Sequence, residues 1–130
     1  MSVTLLDKII GKTATTIEGF TEKSERASIT FSDGSVFAMY HSQDCCESVD
    51  IESIHGDPTW LVGKPIVVAE IVDSQGVERP DPMSWDESFT WTFIKLGTNN
   101  GVITIRWYGS SNGYYCETPA IELDNERMYL

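Results

Sequence analysis

The chain has 130 residues, 41% of them hydrophobic and 22% charged, which is the size and balance of one globular domain. Twenty carboxylates against nine lysines and arginines give a net charge of −11, which disfavours direct nucleic-acid binding because phosphate is repelled. No segment approaches the roughly 20 consecutive apolar residues of a membrane-spanning helix. We therefore expect a single compact domain over residues 1–130 that is soluble and has no membrane partner.

The N-terminal segment predicts one or two helical turns and then a strand. An apolar run over residues 3–10 is interrupted by Asp7 and Lys8. It has neither a basic leader nor a small-residue cleavage site, so we interpret it as structure rather than a signal peptide. Residues 5–10 are the expected helix, and the threonine-rich residues 13–20 are the first expected strand.

Residues 28–40 give the clearest local signal, which predicts a β-hairpin. Residues 28–32 alternate strictly between polar and apolar, Asp33-Gly34 follows, and residues 35–40 continue as a second run. Asp-Gly between two such runs favours a two-residue turn in which both central residues have positive φ.

The next segment predicts a strand, a capped turn and another strand. In residues 47–54, Val49 and Ile51 alternate with Asp50 and Glu52. Residues 57–61 read as a single helical turn that is capped by an aspartate and has proline at its first position. The apolar run in residues 65–72 predicts a strand with both faces covered over part of its length.

The C-terminal half predicts a long loop and further antiparallel strands. Residues 73–87 are the loop, and residues 89–96 and 102–108 form a hairpin around Asn99-Asn100-Gly101. The residues expected to form its faces are Trp91 and Phe93 on one strand, and Ile103, Ile105 and Trp107 on the other. A third hairpin is predicted at Asn112-Gly113, and residues 120–123 are the expected final edge strand.

These elements together predict a mainly β fold. Seven or eight short strands joined by tight turns imply an antiparallel sheet that is curled into a sandwich or an open barrel, with one or two short helices. The acidity is interpreted as an aid to solubility, because the charges are spread along the chain. The alternative is that the acidic surface mimics nucleic acid and occupies a basic groove of a partner.

The stretch from His41 to Glu47 concentrates chemically active side chains between two predicted strands. It contains an imidazole, the thiols of Cys45 and Cys46, and the carboxylates of Asp44 and Glu47. A zinc site would use His41 and one or two thiolates, with a carboxylate or the third cysteine as the fourth ligand, but the spacing fits no standard pattern. A cysteine nucleophile activated by His41 is disfavoured, because the neighbouring acids raise the pKa of a thiol.

We favour a structural interpretation of that stretch, in which Cys45 or Cys46 is a small core residue and His41 hydrogen-bonds a carboxylate. A hard cation held by Asp44, Glu47, Asp50 and Glu52 is a further alternative, although no calcium-loop spacing is present. Three cysteines are an odd number without a framework spacing, which favours free thiols in a reducing cytoplasm. No cofactor is expected.

A second stretch, residues 106–115, interleaves aromatic side chains with serine, asparagine and one arginine. Such a surface can stack on a ring and hydrogen-bond its edge, although packed cross-strand aromatics have the same composition. The candidate ligand-binding residues from the two stretches are His41, Asp44, Cys45, Cys46, Glu47, Arg106, Ser111, Asn112, Tyr114 and Tyr115.

The two stretches also carry a resemblance. His-Ser-Gln-Asp-Cys-Cys-Glu at 41–47, with Ile51-Glu52, Gly56-Asp57 and residues 61–66, resembles a small domain-of-unknown-function family of bacteriophages and prophages. Ser-Ser-Asn-Gly-Tyr-Tyr at 110–115 is similar to that family's other hallmark. The resemblance covers residues 5–123 and implies a phage or prophage origin, a host-cytoplasmic location and one compact domain. It implies no activity.

Without a complete catalytic set, we expect a non-enzymatic accessory protein that binds a host protein and modulates or inhibits a host function, defence included. The first alternative is a domain that binds a small molecule or a nucleotide signal. The second is a metal- or thiol-dependent enzyme. The oligomeric state does not follow from the sequence.

Overall fold

Alternating apolar and polar residues form nine strands within the part of the chain that the computed structural model describes, which is residues 5–41, 47–72, 88–111, 118–124 and 126–129. The strands are β1 (Ala14–Glu18), β2 (Arg26–Phe31), β3 (Val36–Tyr40), β4 (Ser48–His55), β5 (Val68–Val72), β6 (Ser88–Thr98), β7 (Gly101–Ser111), β8 (Ala120–Leu123) and β9 (Glu126–Tyr129). One helical turn, α1 (Leu5–Lys8), precedes β1, and a 3₁₀ helix (Pro58–Leu61) precedes β5.

The strands form two antiparallel sheets. One sheet has five strands in the order β1-β2-β3-β8-β9, and the other has four in the order β4-β7-β6-β5. Neither closes on itself, so the fold is the predicted sandwich and not the open barrel that was its alternative. No helix in the described ranges is long and apolar enough to cross a membrane.

The core lies between the two sheets. In the central strands of both sheets, alternate side chains point inward, as the pleat requires, and form one buried hydrophobic cluster. The five-stranded sheet contributes Ala27, Ile29, Phe31, Phe37, Met39, Ile121 and Leu123, and the four-stranded sheet contributes Val49, Ile51, Ile94, Leu96, Ile103, Ile105 and Trp107. Leu5, Leu6 and Ile9 from the N-terminal helical segment join this cluster.

The predicted hairpin of β2 and β3 is confirmed, but its turn differs from the expected one. Gly34 has φ +88° and is the residue with positive φ in this turn; Asp33 does not share that conformation. The Gly34 amide donates to the Phe31 carbonyl at 3.0 Å, and the Phe31 amide donates to the Ser35 carbonyl at 2.9 Å. This is a three-residue turn that ends in a glycine bulge, and in such a turn only the last residue needs the left-handed conformation.

Two strand predictions need correction. β5 begins at Val68 and is an edge strand of the four-stranded sheet. The expectation that both of its faces are covered over part of its length is wrong, because Ile71 is 39% exposed. β8 is not an edge strand, because β9 follows it and pairs along its free side. The capped turn is confirmed: the Asp57 carboxylate accepts from the Thr59 amide at 3.0 Å.

Candidate functional site

The structure describes only some of the ten predicted site residues. The side chains of His41, Glu47 and Arg106 are described, and Ser111 is the last residue of β7. Outside the described residues lie Asp44, Cys45, Cys46, Asn112, Tyr114 and Tyr115, together with the predicted loop 73–87 and the predicted turn at Asn112-Gly113.

The two predicted segments adjoin the same end of the four-stranded sheet. Ser48, the first residue of β4, pairs with Ser110 near the end of β7. Glu47 therefore lies beside the strand end that leads to residues 112–117. The convergence of the two segments on one cavity stays a prediction.

His41 and Glu47 form a buried pair where the chain crosses from one sheet to the other. The His41 Nε2 and Glu47 Oε1 atoms are 3.4 Å apart, and their side chains are 8% and 1% exposed. This is an ion-pair distance but not a hydrogen bond, since His41 Nε2 has no hydrogen-bond partner within the described structure. His41 therefore lies beside a carboxylate, but the predicted hydrogen bond between its Nε2 atom and that carboxylate is not made.

The metal and thiol alternatives depend on residues that are not described. In the described ranges, no group of three or more histidine, cysteine, aspartate or glutamate side chains is arranged to hold a metal ion. Cys45, Cys46 and Cys116 lie outside these ranges.

Arg106 lies at the centre of an aromatic cluster on the outer face of the four-stranded sheet. Its Cζ atom is 4.7 Å from the ring centroid of Trp91 and 5.7 Å from that of Phe93. The Trp91 ring is also 4.8 Å from the Tyr108 ring, with an angle of 57° between the two planes. We call Trp91, Phe93, Arg106 and Tyr108 the outer cluster.

The pairing of β6 with β7 explains why these four side chains meet. Trp91 pairs with Tyr108, and Phe93 pairs with Arg106, in adjacent cross-strand positions. Their neighbours Ile94 and Trp107 point into the core, so the outer cluster points away from it. Trp91 is nevertheless only 3% exposed. Trp91 and Phe93 thus lie on the outer face of this hairpin, whereas Ile103, Ile105 and Trp107 lie on its inner face.

A groove runs beside the outer cluster along β4. Its volume is about 470 Å³, and we call it the β4 groove. The groove is lined by Glu22, Lys23, Ser48, Asp50, Glu52, Ser53 and Tyr108.

The wall of the β4 groove is built by backbone hydrogen bonds. The Lys23 amide donates to the Ile51 carbonyl at 2.7 Å, and the Ile51 amide donates to the Ser24 carbonyl at 2.9 Å. These bonds attach the connection between β1 and β2 to the outer edge of β4. Lys23 has φ +71°, which turns the chain at this point. The charged side chains of Glu22 and Lys23 are thereby placed beside the carboxylates of β4.

The charges of the groove are unevenly matched. Glu52 Oε2 lies 3.5 Å from Arg106 Nε, and neither atom has a hydrogen-bond partner within the described structure. Burial raises the pKa of Asp50, and the Glu25 and Glu52 carboxylates raise it further, whereas the Lys23 ammonium lowers it. Carboxylates that are held close together despite their repulsion often mark a functional site.

Sequence reasoning identified part of this surface and missed its centre. Arg106 was among the predicted residues, and the alternation in β4 already separated Asp50 and Glu52 from the core. Tyr108 and Lys23 were not selected, because their proximity to Asp50 depends on strand pairing and on the attached β1–β2 connection. The arrangement offers carboxylates and an aromatic ring for a positively charged group.

A comparison with protein families adds an identification. The model of a domain of unknown function, DUF7448, matches residues 7–121. The chain belongs to this family. The DUF7448 match includes both predicted motifs, β4 and the outer cluster. We found no match among curated proteins or solved structures. The family description gives no activity, and the β4 groove and the outer cluster are the surface features that bear on function.

Proposed function

We propose that this DUF7448 domain is a non-enzymatic accessory protein that binds a host protein through the outer face of its four-stranded sheet. The phage or prophage origin and the host-cytoplasmic location are parts of this proposal, and the motif resemblance supports them. Modulation or inhibition of a host function, defence included, is the expected consequence of binding.

The observation that carries the proposal is the outer cluster beside the β4 groove. Arginine and tyrosine are among the residues that contribute most binding energy in protein interfaces, and Arg106 and Tyr108 are partly exposed members of the cluster. Arg106 is 37% exposed and contacts Trp91 and Phe93, so its guanidinium is held in place before any partner arrives. A side chain that is already ordered loses less conformational entropy on binding.

A small-molecule or nucleotide ligand is the second candidate, and the groove volume of about 470 Å³ favours it. The charges of the groove argue against it. Small-molecule sites are mostly apolar, whereas Glu22, Lys23, Asp50 and Glu52 line this groove. Three carboxylates also repel the phosphates of a nucleotide. We therefore rank a protein partner first.

Affinity capture from a bacterial host lysate tests the proposal. The baits are the wild-type chain, the outer-cluster variants Arg106→Gln and Tyr108→Ala, and Arg26→Gln as a matched control. Arg26 also lies over a tyrosine ring, that of Tyr40 at 5.4 Å, but on the outer face of the other sheet.

We expect the wild-type chain and Arg26→Gln to retain one stoichiometric partner that Arg106→Gln and Tyr108→Ala lose. The absence of any stoichiometric partner at micromolar bait would count strongly against the proposal. Equal retention by Arg106→Gln and Arg26→Gln would remove the outer cluster from it. In parallel, a thermal-shift screen with nucleotides and cyclic dinucleotides tests the second candidate, because a ligand that binds the folded chain must raise its melting temperature.

A further inference from the structure

The β4 groove has the features of a receptor for a positively charged side chain. Asp50 and Glu52 of β4 line it together with the aromatic residue Tyr108. A ring face next to carboxylates attracts an ammonium or guanidinium group both through its quadrupole and through charge. The feature is thus a cavity that an aromatic residue lines as well as carboxylates, and not a run of acidic residues alone.

Among the described lining residues of the groove, carboxylates outnumber positively charged groups. Arg106 lies beside Glu52, and Lys23 is the one positively charged side chain among these described lining residues. Glu22 and Asp50 therefore bring two further carboxylates to a described lining that holds one ammonium. An added positive charge would relieve this repulsion, whereas a phosphate or carboxylate would increase it.

The groove is also built before a ligand arrives. Backbone hydrogen bonds fix Lys23 and Ser24 against Ile51, and Trp91 contacts the Tyr108 ring. A side chain entering from a partner would therefore find its recognition groups in place. A fixed geometry favours binding because little ordering remains to be done.

We propose that the β4 groove receives a lysine or arginine side chain of the protein partner. This inference rests on the proposed function and names the chemistry of the partner surface: a basic residue that projects far enough to enter the groove. The outer cluster then contacts the partner surface around that residue. The net charge of −11 attracts such a basic surface over a longer range than the groove itself.

The test is an NMR titration of the full-length chain with capped pentapeptides at low salt. The peptides Gly-Gly-Lys-Gly-Gly and Gly-Gly-Arg-Gly-Gly are compared with Gly-Gly-Gln-Gly-Gly, which has no side-chain charge. We expect the two charged peptides to shift the amide signals of Lys23, Asp50 and Tyr108, and the glutamine peptide to shift none of them.

Two variants separate the groove from the overall charge. Asp50→Asn removes a carboxylate from the groove, and Glu18→Gln removes an exposed carboxylate from the outer face of the other sheet. Asp50→Asn should weaken binding of the charged peptides by about threefold, the scale of one partly exposed charge pair, and Glu18→Gln should leave it nearly unchanged. The amide spectra also report whether each variant is folded.

Equal weakening by both variants would overturn the inference, and so would shifts scattered over both sheets. A free polyamine that binds the same residues more tightly than either peptide would overturn the assignment to a protein side chain. If Asp50→Asn still captures a partner that Arg106→Gln loses, the groove inference fails while the proposed function stands. Loss of the partner by Asp50→Asn but not by Glu18→Gln supports both.

Discussion

The contact between Arg106 and Trp91 should stabilise the fold more than the ion pair between Arg106 and Glu52. The Arg106 Cζ atom is 4.7 Å from the Trp91 centroid, and Trp91 is 3% exposed, so a cation–π contact of about 1 kcal/mol is expected. The Arg106–Glu52 pair is separated by 3.5 Å, and its side chains are 37% and 33% exposed. A pair of that kind contributes about 0.3 kcal/mol.

Two double-mutant cycles measured by urea denaturation test this order. One combines Arg106→Gln with Trp91→Leu, and the other combines Arg106→Gln with Glu52→Gln; the coupling energy isolates each contact. Added salt should reduce only the coupling to Glu52, because charge pairs near the surface are screened. Arg106→Lys keeps the charge and with it part of the cation–π attraction but loses the planar stacking group, so its measured coupling to Trp91 should be smaller than that of Arg106→Gln. A coupling to Glu52 equal to or larger than that to Trp91 would refute the reasoning.

Three further predictions concern stability. Ile51→Ala should lower the free energy of unfolding by about 3 kcal/mol in urea titrations, because Ile51 is fully buried between the sheets. Gly101→Ala should lower the free energy of unfolding by about 2 kcal/mol, since the added Cβ would lie 2.5 Å from the Trp60 ring. Gly63→Ala should lower it less, because the added Cβ would meet nothing within 4 Å and only the positive φ opposes the change. Asp50→Asn should raise the free energy of unfolding at neutral pH by about 0.5 kcal/mol. The folded chain holds the Asp50 proton more tightly than the unfolded chain, so the wild-type chain loses stability as pH rises through the raised pKa of Asp50. In urea titrations, the stability that Asp50→Asn gains over the wild-type chain should therefore vanish below the ordinary aspartate pKa.

The local elements follow from local sequence. Alternation over residues 28–32 and the glycine at position 34 are enough to predict the β2–β3 hairpin, because a tight turn joins neighbouring strands and needs few distant contacts. The capped 3₁₀ helix is predictable for the same reason, since Asp57 and Pro58 act on the residues that follow them. The details of the β2–β3 turn were not predictable to the same degree, because Asp-Gly fits both a two-residue and a three-residue turn.

Sheet order and the candidate site required the tertiary structure. Alternation shows that Trp91 and Phe93 share a face, but only the packing of the two sheets decides that this face points away from the core. Pairing between β4 and β7 joins segments that are distant in sequence, and it places Tyr108 opposite Asp50. The groove also needs the β1–β2 connection against the edge of β4. By itself, the sequence determined a strand-rich acidic domain with local turns; contacts between distant residues decided which polar side chains meet, because no local pattern encodes them.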